Sequence, residues 1–270
     1  MVIDLPFYPQ RTAAALAVAR LRQSAANLSV KRIARCAVVG NSGNLEGSGY
    51  GPLIDAHDSI FRMNDAPITG YENDIGTRTT HHILHSNHDW VSIYPDTTSF
   101  MIINEVNINH SYINDRFRYN GRVGASLKWL TAQLWPQQFP SFSMGMDADM
   151  KTDTMPDNMA RLPNNLYIIS PVFLNYVDNH WFMPENRTHH DYPSTGFKTL
   201  ILALQWCDKV DVFGFGTNNQ IGAWDHYYQD ITPRFVNEMP HRADYQEQFL
   251  DEMEQRGIIR LYRGKREAAQ

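Results

Sequence analysis

The run Cys36-Ala37-Val38-Val39-Gly40 constrains the fold more than any other stretch. It is apolar without alternation, so a strand here must be covered on both faces, as in a parallel sheet. It stops in Asn41-Ser42-Gly43-Asn44, a glycine- and asparagine-rich turn whose backbone can approach a ligand closely. Parallel neighbours need crossover connections, and the rest of the chain supplies them. Further strand-like segments fall at residues 59–64, 79–84, 99–104, 166–171, 209–216 and 257–262. Helix-like segments lie between them at 125–134, 172–180 and 195–206, and a polar helix is expected at 246–255. The alternation predicts an α/β fold: a single Rossmann-like domain whose mostly parallel central sheet is flanked by helices.

Around that domain, residues 1–30 read as a helical lead-in, with Ala14, Val18, Leu21 and Ala25 on helical spacing. The main domain is expected over 31–263, and 264–270 as a charged, disordered tail. Residues 136–163 are rich in Met, Asp and Pro with little period, and read as a long loop or lid. A net charge of −5 gives no electrostatic reason to expect nucleic acid as a partner. No apolar run approaches the ~18 residues of a membrane span. Asp4, with Arg20 and Arg22 after the alanine-rich run, gives no clear signal peptide.

Four places could carry chemistry. The Gly40-Asn41-Ser42-Gly43 turn is neither Gly-x-Gly-x-x-Gly nor a P-loop, so nicotinamide chemistry and ATP hydrolysis are disfavoured. Its amides and asparagines suit phosphate or ribose, and Asn64 ends the next strand, where α/β sheets bind ligands. His81, His82, His85 and His88 look like a metal cluster, but adjacent strand residues face opposite ways and no His-Glu-x-x-His is present. No metal site is expected; these read as hydrogen-bonded histidines. Tyr192-Pro193-Ser194-Thr195-Gly196 precedes an apolar helix, where Ser194 or Thr195 can cap and the first-turn amides can hold an anion. His226 and His241 follow a glycine-ended strand and are candidates for acid–base work near neutral pH. Counting alone leaves Cys36 and Cys207 open, as two buried thiols or one disulfide.

Taken in order, these segments resemble the eukaryotic-type sialyltransferases, glycosyltransferase family 29. Residues 36–86 resemble the family's large motif, through Cys-Ala-Val-Val-Gly-Asn-Ser-Gly-Asn-Leu, Arg-Met-Asn-Asp-Ala-Pro and Asp-Ile-Gly-Thr-Arg-Thr-Thr. Residues 166–216 resemble the small motif, with Ser170-Pro171, Pro193-Ser194-Thr195-Gly196 and Cys207-Asp208. Residues 224–228 resemble the short His-Tyr motif, and His241 the very small motif. Thr79-Thr80-His81-His82 and Gly43-Asn44-Leu45 look most like β-galactoside α-2,3 enzymes acting on Galβ1-3GalNAc.

The resemblance implies a GT-A-like variant of the α/β fold and transfer of sialic acid from CMP-sialic acid to a terminal galactose of a glycoprotein or glycolipid. Asn41, Asn64, Ser170, Tyr192, Ser194, Thr195 and Gly196 would bind the nucleotide and donor. His226 would hydrogen-bond the leaving phosphate, and His241 would be the general base of an inverting displacement needing no metal or other cofactor. A Cys36–Cys207 bridge and residence in the secretory pathway or Golgi lumen are implied too.

Some residues depart from the family pattern. Gln246 stands where the very small motif has Glu, with Glu247 one residue later. A one-residue shift turns a helical side chain by about 100°, so Glu247 is not expected to substitute. Asp225 replaces a frequent second His, and the further cysteines found near the start of many animal members are absent, with Ile33 and Ala34 preceding Arg35. These leave a second reading: a weak or inactive CMP-sugar-binding protein on the same fold.

Overall fold

The computed structural model describes residues 32–85, 97–102, 166–169, 171–188, 191–216, 226–229 and 241–264. The expected lead-in over 1–30, the helix at 125–134, the lid at 136–163, Ser170 and the tail beyond Gly264 lie outside these.

Among the described residues seven strands form one sheet: β1 (Ile33–Val39), β2 (Ser59–Met63), β3 (His81–His85), β4 (Thr98–Ile102), β5 (Leu166–Ile168), β6 (Cys207–Phe213) and β7 (Arg260–Tyr262). Their order is β5-β4-β3-β2-β1-β6-β7, and every neighbouring pair is parallel. The order reverses at β1, with β2 on one side and β6 on the other. In an open parallel sheet the crevice beyond the strand ends at such a point is where ligands bind.

The missing alternation in β1 has the expected cause. Cys36 and Val38 face one hydrophobic cluster, while Ala37 and Val39 face the other. The first cluster packs beneath α3 (Pro171–His180), α4 (Thr195–Trp206) and α5 (Ala243–Gln255). The second lies beneath two short helices, α1 (Gly51–Asp55) and α2 (Glu72–Ile75). Helix α4 is almost fully buried from Phe197 to Gln205 and spans the same residues as the predicted segment. Helix α5 begins three residues before the predicted 246–255, and it is amphipathic rather than polar, burying Tyr245, Phe249, Leu250 and Met253. Neither α1 nor α2 was expected; at five and four residues they are too short to show a helical period.

Cys36 and Cys207 form a disulfide, which settles the alternative that counting left open. It joins β1 to the start of β6 across 171 residues of chain. In the chain-entropy model, closing such a loop contributes about 4–5 kcal/mol.

Candidate active site

A cleft of about 400 Å³ opens at the sheet's switch point. One wall is made of strand ends. Gly40, Asn41 and Ser42 leave β1, Met63 and Asn64 leave β2, and Gly214, Phe215 and Gly216 leave β6. The other wall is made of helix ends: Ser194, Thr195 and Gly196 open α4, and Ala243, Gln246, Glu247 and Leu250 lie along α5. His226 and His241 complete the lining.

Backbone contacts hold the strand wall. The Gly40 N–H donates to the Phe213 carbonyl at 2.7 Å and the Ser42 N–H to Gly214 at 3.1 Å. Ser42 Oγ donates to the Gly216 carbonyl at 2.6 Å, and Asn44 Nδ2 to Phe215 at 2.9 Å. The β1 and β6 turns approach so closely that a Cβ on Gly40 would lie 2.1 Å from the Gly214 oxygen. Gly214 itself sits at φ +67°, which favours glycine. The Asn41 carbonyl accepts from the Tyr227 N–H at 3.0 Å, tying the His226 segment to the loop.

Asn64 adopts φ +53°, in the left-handed region. Its Oδ1 accepts from the His85 N–H at 3.0 Å. An N–H can only donate, so the oxygen end of the amide faces His85 and the NH₂ end is left for the cleft.

At the helix wall, Ser194 is the N-cap of α4: its Oγ accepts from the Phe197 N–H at 3.1 Å. The same hydroxyl donates to Gln246 Oε1 at 2.6 Å. Its proton is therefore committed, which leaves the Thr195 and Gly196 amides as the N–H groups of this first turn that can meet an anion. Gln246 Nε2 donates to the His241 carbonyl, so one side chain bridges the α4 cap to the histidine loop.

His241 is aligned from behind. Its Nδ1 donates to the Tyr192 carbonyl at 3.3 Å, and its ring meets the Tyr192 ring edge-on at 4.6 Å. A carbonyl only accepts, so Nδ1 carries the proton and Nε2 keeps its lone pair. Burial lowers the His241 pKa below 6.5; the bond to Tyr192 acts against this, and the Lys198 charge lowers it further. Lys198, 3% exposed, lies 6.0 Å from the Tyr192 ring centre, and burial takes its own pKa down to about 7. The ring thus stays neutral at neutral pH and can accept a proton. His226 donates from Nδ1 to Gln229 Oε1 at 2.6 Å and stacks on Tyr228, leaving Nε2 for a ligand.

The cleft gathers Asn41, Asn64, Ser194, Thr195, Gly196, His226 and His241 from the expected set. Tyr192 is placed elsewhere: it backs His241 and is not among the cleft-lining residues. Glu247, expected to turn away, lines the cleft beside Gln246. Residues 243, 246, 247 and 250 follow i, i+3, i+4, i+7 spacing, so a 100° step still lies on one helix face. The paired histidines separate as period-two geometry requires. His81 stacks between Phe61 and Phe100, at 4.4 and 5.7 Å, while His82 turns to Asn64. Burial takes the His81 pKa down to about 4, consistent with an aromatic core residue.

Together these features define an α/β protein with a cleft at the switch point that is lined by first-turn helix amides and by a neutral, oriented imidazole. The chain belongs to glycosyltransferase family 29 (sialyltransferase), whose family model matches residues 8–258. It is 33% identical over 232 residues to the mouse (Mus musculus) CMP-N-acetylneuraminate-beta-galactosamide-alpha-2,3-sialyltransferase 2, covering 85% of this chain and 57% of that protein. It is 32% identical to the human (Homo sapiens) alpha-2,3-sialyltransferase 1 of the same name, covering 86% of this chain and 59% of that one. The chain therefore spans under two thirds of the length of these curated relatives. The crystal structure of a mammalian sialyltransferase in complex with Gal-beta-1-3GalNAc-ortho-nitrophenol superposes with a TM-score of 0.57 at 28% identity. That match covers 86% of this chain and 70% of the other.

Proposed function

We propose that this chain transfers sialic acid from CMP-sialic acid to the terminal galactose of a glycan, with α-2,3 linkage. The observation that carries the reading is a single cleft joining anion-binding amides to His241, which is neutral and has Nε2 free. In this reading Asn41, the Asn64 amide and the Thr195 and Gly196 N–H groups hold the CMP phosphate and the donor carboxylate. His226 Nε2 meets the phosphate as the leaving group departs. His241 Nε2 takes the proton from the acceptor hydroxyl while that oxygen attacks the anomeric carbon. The new C–O bond forms as the bond to the CMP phosphate breaks, inverting the centre. CMP leaves readily as a phosphate, so the residues named suffice without a metal step.

The α-2,3 linkage and a Galβ1-3GalNAc acceptor are supported by the names of the relatives and the ligand of the superposed structure. Residence in the secretory pathway is supported by the disulfide, which needs an oxidising compartment. The test is incubation with CMP-sialic acid and a panel of galactosides, with the product linkage read by mass spectrometry and NMR. Product on Galβ1-3GalNAc that vanishes in Asn64→Ala is expected. The second reading, a CMP-sugar-binding protein without turnover, draws on Gln246 in the family's Glu position. Tight CMP binding with no product on any acceptor would establish it instead.

A further inference from the structure

We infer that His82 is a positioning residue: it holds the backbone of Asn64, whose side chain the His85 N–H leaves as a donor, so that this corner of the cleft selects the anionic part of the ligand. The inference rests on the CMP reading above and assigns a part to a side chain outside the cleft lining.

The starting point is a buried row of polar side chains. Arg62, His82 and Ser99 are register neighbours across β2, β3 and β4 and are 4%, 0% and 6% exposed. Placing such groups inside a sheet is costly unless each meets a partner. Arg62 meets the carbonyls of Arg78 and Ile75. His82 Nε2 lies 2.5 Å from the Asn64 carbonyl oxygen. That oxygen can only accept, so Nε2 carries the proton and donates.

Asn64 needs such a hold. At φ +53° it lies in the left-handed region, which side-chain-bearing residues adopt only when locally held. Three of its polar groups are committed. The N–H donates to the Ile83 carbonyl at 2.9 Å, the C=O accepts from His82, and Oδ1 accepts from the His85 N–H at 3.0 Å. All three partners come from β3, and what remains is the Nδ2 amine at the cleft. An amine with two N–H groups and no acceptor complements phosphate or carboxylate oxygens and gains nothing from a hydroxyl that must donate. Without the His82 bond the Asn64 peptide can relax out of the left-handed region, and the amine loses its aim.

The test compares CMP with cytidine, which lacks the phosphate, by titration NMR on the full, disulfide-bonded chain. His82→Leu is expected to weaken CMP about ten-fold while cytidine stays within two-fold. His82→Gln, whose amide nitrogen sits near the place of Nε2, is expected to recover most of the loss. His82→Asn, one methylene shorter, is not; this pair carries the test where His82→Leu does not fold. A parallel fall in CMP and cytidine affinity, or unchanged CMP binding in both His82→Leu and His82→Asn, would overturn the inference alone. A wild-type chain that binds neither ligand would overturn the nucleotide reading, and this one with it.

Discussion

The two walls of the cleft are built by different means. The strand wall is closed by main chain: Gly40, Ser42 and Gly214 interlock through backbone hydrogen bonds, with no space for a Cβ on Gly40. The helix wall is closed by side chains, through the sequence Phe197 N–H to Ser194 Oγ to Gln246, and from Gln246 to the His241 carbonyl. Backbone closure leaves little latitude in shape, which suits a group that must only be held. Side-chain closure lets the imidazole and its supports be tuned, which suits a group that must exchange a proton. On the proposed reading the strand wall and the first-turn amides of α4 hold the CMP phosphate, while the side-chain network behind His241 serves proton transfer.

The sharpest way to break the contrast is His241→Ala. Transfer should fall by roughly 10²–10⁴-fold, the usual worth of a general base, with CMP affinity nearly unchanged. Stopped-rate assays beside CMP titration would show it, and a matching loss of CMP affinity would dissolve the division of labour. Next in size is removal of the disulfide beneath the strand wall. Cys36→Ser with Cys207→Ser should cost about 4 kcal/mol in denaturant unfolding. Gly40→Ala should cost on the order of 3 kcal/mol and weaken CMP, because backbone rather than a flexible side chain blocks the new methyl. Gln246→Ala should cost about 1 kcal/mol and lower kcat more than it changes CMP binding, since it frees the His241 carbonyl and the Ser194 hydroxyl.

The smallest effect concerns pH. In the proposed mechanism neutral His241 is the working form, and burial followed by Lys198 depresses its pKa below 6.5. Activity should therefore persist as pH falls through 6.5 and be lost only as it passes the depressed value. Lys198→Met removes a cation that favours the neutral ring, so the acid limb of kcat/KM should move to higher pH. A limb that stays put would show that burial alone sets the proton affinity.

The same contrast governs what could be read from the residues. Strand ends advertise themselves, because a tight backbone approach demands glycine and asparagine at fixed places; Gly40, Asn41 and Asn64 were legible for that reason. The start of α4 was legible too, because Ser194 followed by an apolar run is a local signal. The bridge from Ser194 to Gln246 was not, since its partners are 52 residues apart and hydrogen-bond choice leaves no periodic trace. The resemblance places Tyr192 against the donor; that its carbonyl and ring also meet His241, 49 residues away, leaves no local signal. Period-two reasoning separated His81 from His82 correctly, but nothing local revealed that His82 reaches the Asn64 backbone. The disulfide followed from the family pattern and not from counting two cysteines.

The span of that disulfide also orders events during synthesis. Cys36 leaves the ribosome 171 residues before Cys207, an interval of roughly 10–30 s at ordinary elongation rates. Throughout that time β1 lacks β6, its neighbour on the far side, so the strand wall has no second half to lock against. Residues 1–270 contain only these two cysteines, so among them the waiting thiol has no wrong partner. A disulfide that Cys36 forms before Cys207 emerges must therefore use a thiol from outside these residues.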